Sequence, residues 1–328
     1  MSHGGDAPLP RVWIEGLIPL WMIGGGMVTR RMLVAGGASI AVGPVPAFAQ
    51  QEAIGSEGQR RGRATVPVFL NDQGPFQFVV DTAANASVIS SDLSERLQLE
   101  SIGEIGMHTL IGREVVPAVR AMRLESGALD VRFLRLAVGL RSAIAGLDGL
   151  LGCDLLVDSK VILNFRGTQR VRIARSNAPA RNFLDRMSSE TPQVVAGERR
   201  FGNLLMIPAW IGGDAAIAVI DSGAEGTILN RAAARTGRAT PLVPADGQRR
   251  RRIQSPTGEA TTGEAMSLPS LRFAGISISG LPVAVGDFHS FEIWGLADQP
   301  AIIIGLDILR LFDVVHIDLK RNELSLQI

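Results

Sequence analysis

The sequence predicts a mostly β protein made of two tandem copies of one small lobe, with few short helices. Three observations predict it. First, Val79-Val80-Asp81-Thr82-Ala83-Ala84 and Val219-Ile220-Asp221-Ser222-Gly223-Ala224 share one pattern: an apolar run ending on Asp, a hydroxyl residue, then two small residues. Second, Leu150-Leu151-Gly152-Cys153-Asp154-Leu155-Leu156 and Ile303-Ile304-Gly305-Leu306-Asp307-Ile308-Leu309 both read apolar-apolar-Gly-x-Asp-apolar-Leu. Third, most segments around these landmarks are short β-branched or alternating runs divided by Gly, Asn-Asp or Gln-Gly, a pattern of strands and turns. Landmarks recurring in one order at near-equal spacing mark a duplicated unit.

Taken along the chain, residues 1–49 read as a targeting segment. Thr29-Arg30-Arg31 precedes an uncharged, mildly apolar and Gly-rich stretch that closes on Ala47-Phe48-Ala49. These are the basic, apolar and small-x-small parts of a secretory signal, and the paired arginines point to the twin-arginine type. Gly36, Gly37, Gly43, Pro44 and Pro46 disfavour a retained membrane helix, so an exported, periplasmic or secreted protein is expected, with no stable membrane insertion once the signal is gone. Met27 offers an alternative start. Residues 50–174 form the first lobe, opening with a loose polar lead-in over 50–65. Val66–Leu70 and Phe76–Val80 are strands, so Asp81 falls at a strand end. Ser90 is an N-cap for a short helix reaching to Leu99. Val161–Phe165 is a further strand. Residues 175–200, with Pro179, Pro192 and mixed charge, are the connector, with a short helix around Phe183–Met187. Residues 201–328 repeat the plan: Ile207–Ile211 precedes Asp221, Asn230 is the second N-cap, and Val314–Leu319 is the closing strand.

Composition narrows the chemistry. With 46% hydrophobic and 20% charged residues the chain is of globular and not disordered type. A net charge of +1 gives no electrostatic case for nucleic acid. The sole cysteine, Cys153, lies in an apolar run and reads as a packing residue. The four histidines, His3, His108, His289 and His316, are scattered without zinc-ligand spacing, and no Gly-Lys-Ser/Thr phosphate loop is present. No metal or cofactor is expected.

What remains is the Asp pair. Two carboxylates brought face to face cannot both ionise cheaply, so one retains a proton over a wide pH range. The ionised member can take a proton from water while the protonated member polarises a substrate carbonyl. On these motifs the chain resembles the bilobed aspartic proteases, with each lobe closer to the retropepsin-like domain than to the larger pepsin lobe. The resemblance covers nearly all of residues 64–328. It implies two β lobes with pseudo-twofold symmetry and a catalytic pair, Asp81 and Asp221. It also implies Thr82 and Ser222 as hydroxyls tying one Asp loop to the other, and Gly152 and Gly305 as the small residues that let an underlying strand approach. The family places Gly after Asp-Thr/Ser; the second lobe has Gly223, whereas the first has Ala83. Either the extra methyl displaces the carboxylates or nearby remodelling absorbs it.

The resemblance implies an aspartic endopeptidase that acts on peptide or protein substrates as a monomer. The alternative is an inactive lobe pair retained to bind peptides or regulate a partner. Flap candidates are Ile105–Gly112, with Gly106 and His108, and Ile253–Glu259, with Ser255 and Gly258; each is either a lid or a plain surface hairpin. Arg249–Arg252 is either a solvated loop or a contact for anionic peptides or lipids. Trp210 and Trp294 are core or cleft-wall aromatics.

Overall fold

The computed structural model describes residues 39–41, 62–166, 171–176, 193–243 and 247–328. Each repeat folds into a sheet that closes on itself, and the strand order is the same in both. In the first repeat it runs Thr65–Leu70, Gln73–Val80, Gly149–Leu151, Val88–Ser90, Leu129–Gly139, Arg113–Ser126, Glu100–His108, with Thr65–Leu70 also pairing Arg113–Ser126. In the second it runs Leu204–Ile211, Asp214–Ile220, Ala301–Ile304, Ile228–Leu229, Ile276–Val285, Ala260–Phe273, Arg250–Gln254, closed by Leu204–Ile211 on Ala260–Phe273. The protein is therefore mostly β, with two tandem lobes of one strand order. Closure leaves few unpaired edges.

The strands that end on the aspartates run from an exposed start to a buried end. Phe78, Val79 and Val80, like Val219 and Ile220, are fully buried. Burial of one such side chain contributes about 1.5–3 kcal/mol relative to exposure. Phe78–Val80 pairs in parallel with Gly149–Leu151, and Ile217–Ile220 with Ala301–Ile304. The strand carrying each apolar-apolar-Gly motif thus lies beside the strand that delivers each Asp.

Among the described residues, five short helices complete the lobes: α1 (Ser91–Arg96), α2 (Cys153–Leu156), α3 (Arg231–Thr236), α4 (His289–Ile293) and α5 (Leu306–Leu309). The Ser90 hydroxyl accepts from the Leu93 N–H at 3.2 Å and the Asn230 side-chain oxygen from the Ala233 N–H at 2.7 Å, so each caps its helix. α1 is shorter than the expected run to Leu99, because Gln98 turns to a φ of 48°.

A third sheet belongs to neither repeat alone. Its order is Val171–Arg175, Ser159–Asn164, Val314–Asp318, Glu323–Gln327, Gln193–Ala196. At its centre Val161 faces Ile317 and Leu163 faces Val315, all four buried. Within the expected connector, Gln193–Ala196 is the edge strand of this sheet, and Glu198–Arg200 is a strand paired with Leu204–Met206 of the second lobe. The lead-in is corrected, since Arg63 and Ala64 are buried and a strand begins at Thr65. Arg250–Gln254 is a strand paired with Ala260–Glu264, so most of the arginine run is not a loop.

The expected helix around Phe183–Met187 lies outside the described residues, as does most of the expected targeting segment over 1–49. Of that segment only Ser39–Ala41 is described, as a strand parallel to Ser277–Ser279. No helix among the described residues is long and apolar enough to cross a membrane.

Candidate active site between the two repeats

Each Asp leaves its strand into a tight loop whose geometry is set by what lies beneath it. The Asp81 N–H donates to the Leu151 carbonyl at 2.9 Å and the Asp221 N–H to the Ile304 carbonyl at 3.0 Å. Immediately after those carbonyls the underlying strand passes so close that only glycine fits. A Cβ on Gly152 would lie 2.9 Å from the Ala84 carbonyl oxygen, and one on Gly305 would lie 2.7 Å from that of Gly226. Below, Ser87 donates its N–H and hydroxyl to Asp154 at 3.1 and 2.8 Å, and Thr227 does the same to Asp307 at 2.9 and 2.8 Å. Ser87 Oγ and Thr227 Oγ1 also accept from the N–H of Gly152 and Gly305. Each loop therefore stands on a hydroxyl–carboxylate post that also holds the glycine.

The two loops are tied together by a reciprocal exchange. Thr82 Oγ1 donates to the Ile220 carbonyl at 2.7 Å and accepts from the Ser222 N–H at 3.1 Å. Ser222 Oγ donates to the Val80 carbonyl at 2.7 Å and accepts from the Thr82 N–H at 3.2 Å. All four groups are buried. Thr82 and Ser222 thus occupy the cross-linking positions that the motif resemblance implies.

This frame brings the aspartates into one place. An ideal Cβ on Gly223 would fall 1.7 Å from Asp81 Oδ2, so the lobe-one carboxylate lies directly against the lobe-two loop. Asp81 Oδ1 accepts from the Ala83 N–H at 3.0 Å, and Asp221 Oδ1 from the N–H groups of Gly223 and Ala224 at 2.7 and 3.0 Å. The other oxygen of each, Oδ2, is buried without a hydrogen-bond partner among the described residues. Burial and the neighbouring Asp221 push Asp81 well above the usual carboxylate range, against the backbone N–H groups of Ala83 and Ala84 and the charge of Arg63. Burial pushes Asp221 up to about 7, against the N–H groups of Gly223 and Ala224 and Arg63. A pair so placed retains a proton into neutral pH and keeps one unpartnered buried oxygen on each carboxyl.

The Ala83 question is resolved sterically. Neither Ala83 nor Gly223 adopts a positive φ. The family glycine at 223 is required by space, not by backbone conformation, and Ala83 is buried in the main core without such a demand.

Both flap candidates are hairpins, and both touch the opposite lobe. Glu100–His108 turns through 109–112 into Arg113–Ser126. His108 Nδ1 lies 2.8 Å from His289 Nε2 in α4, the rings stacked with centroids 5.1 Å apart. The Ser290 hydroxyl donates to the Thr109 carbonyl at 3.2 Å. Gly106 sits in the hairpin's strand beside Arg113. In lobe two the turn after Gln254 holds Ser255, buried, and Gly258 at a φ of 109°, where a Cβ would lie 2.8 Å from Leu140 of lobe one. They are bridges between lobes, not plain surface hairpins. Trp294 is core, edge-on to Phe291, whereas Trp210 is half-buried under Arg272.

Sequence reasoning missed Ser87 and Thr227, whose matching places after the two Asp were a usable signal. It also missed Arg63, Asn85 and Glu225, for which no motif spoke. Cys153 is buried as expected, its thiol donating to the Thr82 carbonyl at 3.2 Å.

The sequence profile of the aspartyl protease family matches residues 66–155 and 207–308. Among solved structures, the crystal structure of an aspartic proteinase from Irpex lacteus is similar at 13% identity and a TM-score of 0.45, covering 80% of this chain and 93% of that one. No curated protein sequence matches.

Proposed function

Because the chain belongs to the aspartyl protease family, we propose that it is an aspartic endopeptidase that hydrolyses peptide bonds with a water activated between Asp81 and Asp221. The observation that carries this reading is the buried carboxyl pair with one unpartnered oxygen on each member, clamped by the Thr82–Ser222 exchange. One carboxyl of the pair holds the shared proton and donates it to the substrate carbonyl oxygen, while its ionised partner takes a proton from water, whose oxygen bonds to the carbonyl carbon. Collapse of that adduct breaks the C–N bond, with a proton passing to the leaving amine. No covalent enzyme intermediate is formed. The substrate is an extended peptide held by strand-like pairing. The working unit is the monomer, because one chain supplies both aspartates, and its place is outside the cytoplasm. Since both carboxyls are fully buried, turnover requires the bridging hairpins to lift and admit substrate.

The test is hydrolysis of a mixed peptide library by the full chain from pH 3 to 8, beside Asp81→Asn and Asp221→Asn. Each variant should lose about 10²–10⁴-fold in rate. Wild-type cleavage that survives both substitutions would end this reading. The alternative reading is a peptide-binding module. On that reading the wild type cleaves nothing, and Asp81→Asn binds library peptides as well as it does.

A further inference from the structure

One buried cation stands beside the carboxyl pair, and it comes from the segment just ahead of the first lobe's opening strand. The Arg63 side chain is 1% exposed. Its Nη1 donates to the Gly223 carbonyl at 3.2 Å, and its Nη2 lies 3.3 Å from Glu225 Oε1. Both partners belong to the lobe-two Asp loop, so a lobe-one residue grips the backbone two residues after Asp221. The matching place in the lobe-one loop is Asn85, whose amide donates to the Phe201 carbonyl. That contact is neutral on both sides. The frame around the two aspartates is symmetric, but the charge placed on it is not.

We propose that Arg63 is a positioning residue for the carboxyl pair, which holds the Asp221 loop in place and favours the singly ionised form of the pair. The proposal rests on the endopeptidase reading for its kinetic consequence, but not for its electrostatic one. In a buried site a guanidinium acts over several ångströms; burial and Arg310 lower the pKa of Arg63 itself, and the charges of Glu225, Asp81 and Asp221 hold it up. Its field reaches both Asp81 and Asp221 and favours their ionised forms. The other charged groups facing Arg63 are Glu225, which neutralises part of that field, and Arg310, which adds to it. Cys153, under the Asp81 loop, is held neutral by burial, and Arg199 is exposed. Without Arg63 the last charge on the pair would be lost at a higher pH, and with it the base that activates water.

The test turns on opposite signs. Arg63→Gln should move the acid limb of the kcat/KM profile up by about one pH unit, and Glu225→Gln, which leaves the cation uncompensated, should move it down. Arg63→Lys should restore most of the wild-type limb. A merely structural contact would give lower kcat in both variants with the limb unmoved, and that result overturns the proposal. The same shifts are read without turnover from ¹³C-carboxyl NMR titration of Asp-labelled protein. If the wild type cleaves no peptide, the endopeptidase reading fails while the titration still decides the role of Arg63. Should Arg63→Gln not fold, Arg63→Gln/Glu225→Gln removes the stranded charge. Comparing its titration with that of Glu225→Gln isolates the cation, and identical curves would refute the role.

Discussion

The Asp81 and Asp221 loops are built on one frame and finished differently. Both stand on a hydroxyl–carboxylate post, Ser87–Asp154 or Thr227–Asp307, and both pass over a glycine that no other residue can replace. They differ two residues on, Ala83 against Gly223, and four residues on, Asn85 against Glu225. Duplication has preserved the hydrogen bonds that fix backbone position and relaxed the side chains that set space and charge. Asp81 leans over Gly223, which demands glycine in lobe two, whereas the Ala83 methyl is buried in the core of lobe one.

The posts test the shared frame, with the largest expected effect. Burial raises Asp154 and Asp307 to about 6 each, from a starting value of 3.8, against the hydrogen bonds that favour their ionised forms. Between those values the folded state binds more protons than the unfolded chain, so stability falls as pH rises through this window and is fully present below it. Two units correspond to about 3 kcal/mol per group. Denaturant melts from pH 3.5 to 7 should show decreasing stability. Asp154→Asn and Asp307→Asn should each flatten the decline by a similar amount. A flat wild-type profile, or one variant without effect, would break the equivalence of the posts.

The asymmetry is tested at Gly223. Gly223→Ala places a methyl where Asp81 Oδ2 now lies, so the carboxylate must move by an ångström or more. Misplacement on that scale costs about 10²-fold in turnover, and crowding a packed site costs about 1–3 kcal/mol of stability. Peptide cleavage and thermal melting measure the two. Wild-type rates from Gly223→Ala would show that the close approach is not needed for chemistry.

Thr82 and Ser222 return to the symmetric part of the comparison. Thr82→Val leaves the Ile220 carbonyl and the Ser222 N–H without partners, and Ser222→Ala does the same to the Val80 carbonyl and the Thr82 N–H. Each change should cost about 1–3 kcal/mol by chemical unfolding, nearly alike in the two lobes. A loss in one variant only would mean that one hydroxyl carries the junction.

How far these features were legible in the sequence follows from their range. The repeated Asp and Gly motifs are local, and they placed Asp81, Asp221, Thr82, Ser222, Gly152 and Gly305 in their loops and under-strands because apolar runs and small residues have direct backbone meaning. The N-caps Ser90 and Asn230 were visible for the same reason. The shared sheet was not, since Gln193–Ala196 gains its strand partner only from Glu323–Gln327, far along the chain. Arg63 escaped notice because a lone arginine in a polar lead-in has no local signature. Its burial depends on Gly223 and Glu225, which only the folded chain brings to it. Whether the Ala83 methyl is absorbed was not legible either, because the crowding that demands glycine at 223 arises only where Asp81 meets the lobe-two loop.

Ala83→Gly is the smallest test and the sharpest for that last point. If the methyl displaced the carboxylates, restoring glycine would raise turnover steeply, toward the 10²-fold scale of a misplaced group. The structure argues otherwise. Ala83 has an ordinary φ, its N–H holds Asp81 Oδ1, and its side chain is buried in the core shared with Val80 and Leu151. Removing the methyl should therefore change kcat/KM by less than about tenfold and lower stability by about 0.4–1 kcal/mol through the freer unfolded chain. Paired measurement of cleavage and melting decides it: a large gain in rate would mean that lobe one, like lobe two, requires glycine, and the two loops would be alike after all.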